Sequence, residues 1–174
     1  MLRFNIAEGG KTMELIRTVV RVSMPVTAIF LIVLSGNAQE KQIPARDVPA
    51  AVITAFKTAY PQATIRGYAR EKENGKIYYE IESREGTMTR DVLYNADGTV
   101  AEIEESIAAN DLPADVQQAI RQKYPKAVIT KVERTTAGDK VTYEVSAKQG
   151  RRRISMEFDS SGKVLSSKAK SGIR

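Results

Sequence analysis

Glu102, Glu104 and Glu105 stand almost together near the middle of the chain. Paired carboxylates can serve as general acid and base, or as ligands for a hard cation. On a strand bearing so many acids, a solvated charged face is the simpler reading. Asn95 and Asp97 in "NADG" match a fragment of a calcium loop. The remaining ligand positions do not follow, and a tight turn closed by Gly98 accounts for the stretch. "GRRRIS", from Gly150 to Ser155, is the densest basic run. If it is a strand, Arg151, Arg153 and Ser155 share the solvent side. Tyr78 and Leu93 fall on the outward positions of their strands, and Tyr68 is grouped with them. Outward Tyr and Leu can anchor a protein partner.

Composition narrows the chemistry. The 174 residues include no His, Cys or Trp. Histidine bases, thiol nucleophiles, disulfides and thiolate metal sites are therefore excluded. A non-enzyme with no cofactor and no metal is expected. The basic run lacks interleaved aromatics for base stacking, so no nucleic-acid partner is expected.

The elements that would position these residues come twice. The chain matches itself at an interval of 64 residues: "TAYPQATI" at 58–65 meets "QKYPKAVI" at 122–129. Tyr79-Glu80 meets Tyr143-Glu144, and Gly86, Gly98 and Val100 meet Gly150, Gly162 and Val164. Such self-similarity marks a duplicated unit. Each copy opens with an amphipathic helix. Val48, Val52, Ala55, Phe56 and Ala59 share one side of the first, and Leu112, Val116, Ala119 and Ile120 of the second. Asp47 is a candidate cap, and Pro61 and Pro125 stop the helices. Strands follow, with Tyr79, Ile81, Val92 and Tyr94 inward in one copy. Tyr143, Val145, Ile154, Met156 and Phe158 do the same in the other.

An α+β fold of two tandem repeats is expected. Each is a helix packed on an antiparallel β-meander of three to four strands. The first copy is placed at 43–107 and the second at 108–167. Residues 39–42 form a short extension before them, and 168–174 a flexible tail behind.

The pattern "LP", "YP", "YEV", a turn ending in Gly and "FDSSGKVL" resembles the PepSY-like family, also described as β-lactamase-inhibitor-like. The residues carrying it are Leu112-Pro113, Tyr124-Pro125, Tyr143 to Val145, Gly150 and Phe158 to Leu165. Pro49, Tyr60-Pro61, Tyr79 to Ile81, Gly86 and Tyr94 to Val100 carry it in the first copy. The resemblance implies an exported protein, and relatives that inhibit or control peptidases by gripping them with an exposed sheet. It implies no catalytic residue.

The first 38 residues read as a secretory signal. Arg17 and Arg21 precede the apolar run "PVTAIFLIVL", and small residues Gly36 and Ala38 follow. The run is short for a membrane span, so cleavage after Ala38 and no transmembrane segment in the exported form are expected. Both Met1 and Met13 precede this pattern. A periplasmic or secreted location follows.

Charge divides the two copies. Residues 43–107 carry 8 basic and 11 acidic side chains, and residues 108–174 carry 14 and 7. The leading expectation is a non-catalytic module that holds an envelope protein, such as a peptidase, through its exposed sheet face. Tyr68, Tyr78, Leu93, Arg151 and Arg153 are its candidate contacts. The alternative is an envelope-associated binder of anionic ligands or membrane surfaces, acting through the basic second copy.

Overall fold

The computed structural model describes residues 39–171. The predicted signal segment, 1–38, lies outside the described residues. Nine strands form one antiparallel sheet in sequence order: β1 (Gln39–Gln42), β2 (Thr64–Glu73), β3 (Lys76–Glu85), β4 (Met88–Tyr94), β5 (Val100–Ser106), β6 (Val128–Ala137), β7 (Lys140–Gln149), β8 (Arg152–Asp159) and β9 (Val164–Ser171). Helix α1 (Ala50–Ala59) stands between β1 and β2, and α2 (Ala114–Lys123) between β5 and β6. Among the described residues no helix is long and apolar enough to cross a membrane.

The helices form as their periodicity predicts. Val52 and Phe56 of α1 are buried against Ile81, Val92 and Tyr94, and Tyr79 and Ile103 pack at the margin. Val116 and Ile120 of α2 are buried against Val132, Val145, Met156 and Phe158. Each fully buried large apolar side chain stabilises the fold by about 1.5–3 kcal/mol. Asp47 does not cap α1. It sits in a 3₁₀ turn at Ala45–Asp47, and Pro49 occupies the cap position, accepting from the Ile53 amide at 3.2 Å.

One register runs through the whole sheet. Directly paired residues of an antiparallel sheet share a face. Val92 pairs with Ile103, Ile103 with Thr136 and Thr136 with Val141. One row below, Arg90 pairs with Glu105, Glu105 with Arg134 and Arg134 with Tyr143. The side buried by α1 thus continues into the side buried by α2. Both helices lie over the same face, and among the described residues no helix covers the other.

The join is the β5–β6 pairing, only four residue pairs long. On its helix side, Glu105 accepts from buried Arg90 at 2.8 Å and from Arg134 at 2.5 Å. The Arg90 guanidinium also stacks 4.0 Å from the Tyr60 ring centre. Burial alone would raise the Glu105 carboxyl, but hydrogen bonds from the two arginines outweigh it and hold it below its ordinary range.

At the ends, one expectation is refined and one is corrected. Residues 39–42 pair with β2 as an edge strand, and Lys168–Ser171 belong to β9, where a flexible tail was expected. Their polar side chains carry no alternation, yet their backbone groups complete the sheet.

Turns fasten the helices down. Gly98 and Gly162 have φ of +86° and +81°. A Cβ on Gly98 would meet the Ala51 carbonyl oxygen at 2.8 Å, and one on Gly162 would meet Asp115 backbone at 2.7 Å. Gly150 also has positive φ, but open space around it.

Two outcomes follow for chemical denaturation. Gly150→Ala should cost only the left-handed backbone term of about 1–2 kcal/mol, and Gly162→Ala clearly more. Equal losses would contradict the close approach to α2. Glu105→Ala should cost about 3 kcal/mol by removing the hydrogen-bonded carboxylate of buried Arg90 and leaving it Glu85 at 3.6 Å, whereas Arg134→Ala should cost under about 1 kcal/mol because Arg134 is exposed. The reverse order would refute the join as described.

Candidate functional site: the open face of the sheet

Alternation sends every second residue to the face without helices. Pairing then arranges those residues in rows across the strands. One row runs Gln42, Ala69, Glu80, Leu93, Glu102. The next runs Gly67, Glu82, Asp91, Glu104, Thr135, Thr142. A third sets Ser106, Glu133, Glu144 and Glu157 side by side. Like charges directly opposite one another are destabilising, and here Glu82, Asp91 and Glu104 form an unbroken run of three, as do Glu133, Glu144 and Glu157. Lys131 is the one cation that forms an ion pair with these acids among the described residues, through Glu133.

Burial first, and neighbouring carboxylates second, govern protonation on this face. Burial, then the charges of Glu71, Asp91, Glu40 and Glu82, push Glu80 up to about 8. Burial with Glu71 and Glu73 lifts Glu102 to about 7, although Lys140 opposes them. Burial with Glu82 and Glu133 lifts Asp91 to about 6, although Lys131 opposes them. Glu104 is raised by burial, by a hydrogen bond shared with Glu133 and by the charges of Glu133 and Asp91. Glu71 and Glu144 are raised too, mainly by burial.

Glu40, Glu71 and Glu80 bring carboxylate oxygens within 4.8 Å of one another. By donor type they suit a hard cation, but three oxygens fall short of the six to eight that calcium takes. Glu40 is exposed. As acids and bases the shifted carboxylates have suitable protonation ranges. They stand on the face of the sheet opposite α1 and α2.

The comparisons fit this architecture. The family model described as "Putative beta-lactamase-inhibitor-like, PepSY-like" matches residues 35–101 and again 77–166. The chain belongs to the PepSY-like family. The expected resemblance is thereby confirmed over most of its length. Three solved structures share the fold. One, from Bacteroides eggerthii, is described as "putative periplasmic proteins"; it is 18% identical with a TM-score of 0.57, over 70% of this chain and 88% of that one. A DUF2874 family protein from Bacteroides uniformis is 17% identical with a TM-score of 0.55, over 70% and 88%. A BLIP-like protein from Bacteroides fragilis is 22% identical with a TM-score of 0.53, over 76% and 91%. No curated protein matches the chain.

Within this PepSY-like sheet the predicted contacts separate. Tyr78 and Leu93 stand half-buried on the open face, Tyr78 paired with Glu71 and Leu93 between Glu80 and Glu102. The Lys76 ammonium lies 4.8 Å from the Tyr78 ring centre. Tyr68 does not join them. It pairs with Ile81 and packs at the margin of the α1 core. The cause is a bulge in β2 between Ile65 and Gly67, which reverses the parity of every later residue. Arg153 is on the open face, opposite Lys148 and Lys170. Arg151 is not on a strand at all; it sits in the β7–β8 turn.

The acidic triplet also splits. Glu102 and Glu104 face the open side, while Glu105 turns under α1 to Arg90. The sequence reading missed Glu80, Asp91, Glu133 and Glu144 as a connected set. Strict alternation of Glu80 and Glu82 was a signal for one strand, but the rows exist only through pairing.

Stability should fall as pH rises. The folded chain keeps protons on Asp91, Glu102 and Glu80 that the unfolded chain releases near 4 to 4.5. Their contribution is complete below that range and is lost as pH climbs through about 6, 7 and 8. Glu105, held low, acts oppositely and only in acid. Scanning calorimetry should show Tm dropping by roughly 4 °C or more between about pH 5 and pH 8, and Glu80→Gln should flatten the slope. A Tm that rises over that interval would overturn this electrostatic picture.

Proposed function

We propose that this PepSY-like protein is an exported, non-catalytic module that grips a protein partner across its open sheet face. The partner is read as a peptidase or another envelope enzyme that the module inhibits or controls. One observation carries the proposal: α1 and α2 lie on one side of a nine-stranded sheet, and among the described residues no element covers the opposite face. Two half-buried anchors, Tyr78 and Leu93, stand in that face among uncompensated carboxylates. Aromatic and apolar anchors ringed by charge are the usual anatomy of a specific interface. The acidic surroundings favour a partner with a basic contact surface and an association that slows as salt rises.

The family's description as β-lactamase-inhibitor-like supports an inhibitor-like role. Export rests on the basic and apolar pattern of residues 17–38 and on cleavage after Ala38. The relative described as periplasmic agrees with it. The two-copy organisation belongs to the same reading. Helices, strands and bulges recur 64 residues apart, as in Ala50 and Ala114 or the bulges after Ile65 and Ile129. We read 43–107 and 108–167 as copies of one unit fused edge to edge.

Affinity capture from the native envelope, with the processed protein as bait, identifies the partner. Binding of the purified pair is then measured by calorimetry. Tyr78→Ala with Leu93→Ala should weaken it at least about tenfold, and Tyr68→Ala, made on the helix side, should change it little. A partner whose affinity ignores the Tyr78 and Leu93 changes would sink the open-face reading.

A further inference from the structure

The open face changes character toward β9. Beyond the row Glu133, Glu144, Glu157 comes a row of hydroxyls and lysines: Lys131, Ser146, Ser155, Lys168. Beyond that comes a row with no acid in it. Lys148 pairs directly with Arg153, and Arg153 directly with Lys170. Strands lie about 4.8 Å apart, so three cations crowd within roughly 10 Å. Cross-strand like charges oppose the sheet. Among the described residues, Lys148, Arg153, Lys168 and Lys170 form no ion pair.

These side chains also frame a cavity. Lys148, Arg153, Lys168 and Lys170 line an open groove of about 890 Å³, together with the hydroxyls of Thr130, Ser146, Ser155 and Ser171. The Thr130 hydroxyl donates to the Ser146 carbonyl, and the Ser155 hydroxyl to Glu144 at the groove's acidic border. The donors suit one chemistry. A guanidinium offers a planar fork to two oxygens, ammonium groups supply point charge, and the Ser146 and Ser171 hydroxyls can donate to the remaining acceptors of a compact dianion. A lone carboxylate would use only part of that set.

We propose that this groove on β7, β8 and β9 is a binding site for a phosphate-bearing ligand, with Lys148, Arg153, Lys168 and Lys170 as its cations. It is separate from the Tyr78 and Leu93 region and does not depend on the protein-binding reading. Its volume admits more than one phosphate, so a diphosphate or a phospholipid headgroup fits the same chemistry. The competing explanation is that basic residues on an outer strand merely discourage edge pairing. That role predicts no saturable site.

The test titrates the processed full-length product with pyrophosphate, and with inorganic phosphate, by calorimetry at an ionic strength of about 0.15 M. A parallel arm sediments it with vesicles of phosphatidylcholine, with or without phosphatidylglycerol. Saturable binding should appear in at least one arm. It should weaken at least about tenfold in Lys148→Gln/Arg153→Gln and persist in Arg151→Gln, whose side chain is on the turn. Binding to soluble phosphates would assign a soluble ester, and binding only to anionic vesicles would assign a headgroup. Thermal melts check folding. If the double variant melts early, Lys168→Gln/Lys170→Gln on the edge strand must give the same loss. No binding in either arm, or equal affinity across all variants, would overturn the site.

Discussion

The β5–β6 pairing is the constraint on which everything else rests. Four residue pairs turn what would be two separate meanders into one sheet. Without it, β5 and β6 would each expose a bare edge, a template for unwanted pairing. The register at this join also decides geometry. Because Glu105 faces Arg134 on the side where Arg90 already lies, α1 and α2 are bound to the same face. A slip of one residue would send the apolar set of β6–β9 to the opposite side and strand α2. Of the two arginines on Glu105, Arg134 is the one that crosses the join, so a wrong register loses that ion pair while Arg90 keeps Glu105 and Glu85.

The open face is then a by-product of the join, and its charge pattern is not neutral. Acids are aligned in successive rows and cations in another, with Lys131, Ser146, Ser155 and Lys168 in the row between them and Lys131 reaching across to Glu133. Sheets usually interleave charges of opposite sign across strands, because each good pair adds a few tenths of a kcal/mol. Here the opposite arrangement survives, and protonation absorbs part of the strain at Glu80 and Glu104. Surfaces that sacrifice stability in this way are the usual signature of a surface selected for something else.

Much of this was legible in the sequence, and the limits are physical. Alternation with period two placed Tyr79, Ile81, Val92, Tyr94, Val145, Met156 and Phe158 on the buried side without error. It failed at Tyr68, because a bulge one turn of pleat earlier reverses parity and leaves no local mark except Gly67. A side chain there would press on Glu82, with a Cβ 3.0 Å from that carboxylate. Alternation also separated Glu104 from Glu105, had it been applied to the acidic run instead of reading the run as one cluster. The polar strands β1 and β9 lack a buried face and so lack a pattern. The rows of charge were out of reach altogether. They arise from register between strands, which only the folded chain specifies.

The two turn glycines have a consequence beyond their own conformation. Gly98 and Gly162 bring the β4–β5 and β8–β9 turns into backbone contact with the first turns of the helices. Each helix is thereby held at its start by a turn of the sheet and along its length by apolar packing, so it has no room to roll or slide. The open side is a stiff plate, backed by two fixed struts. A ligand meeting it would find its contacts already in place. Little ordering entropy would be lost on association, and selectivity would come from the shape and charge of the plate rather than from its adjustment.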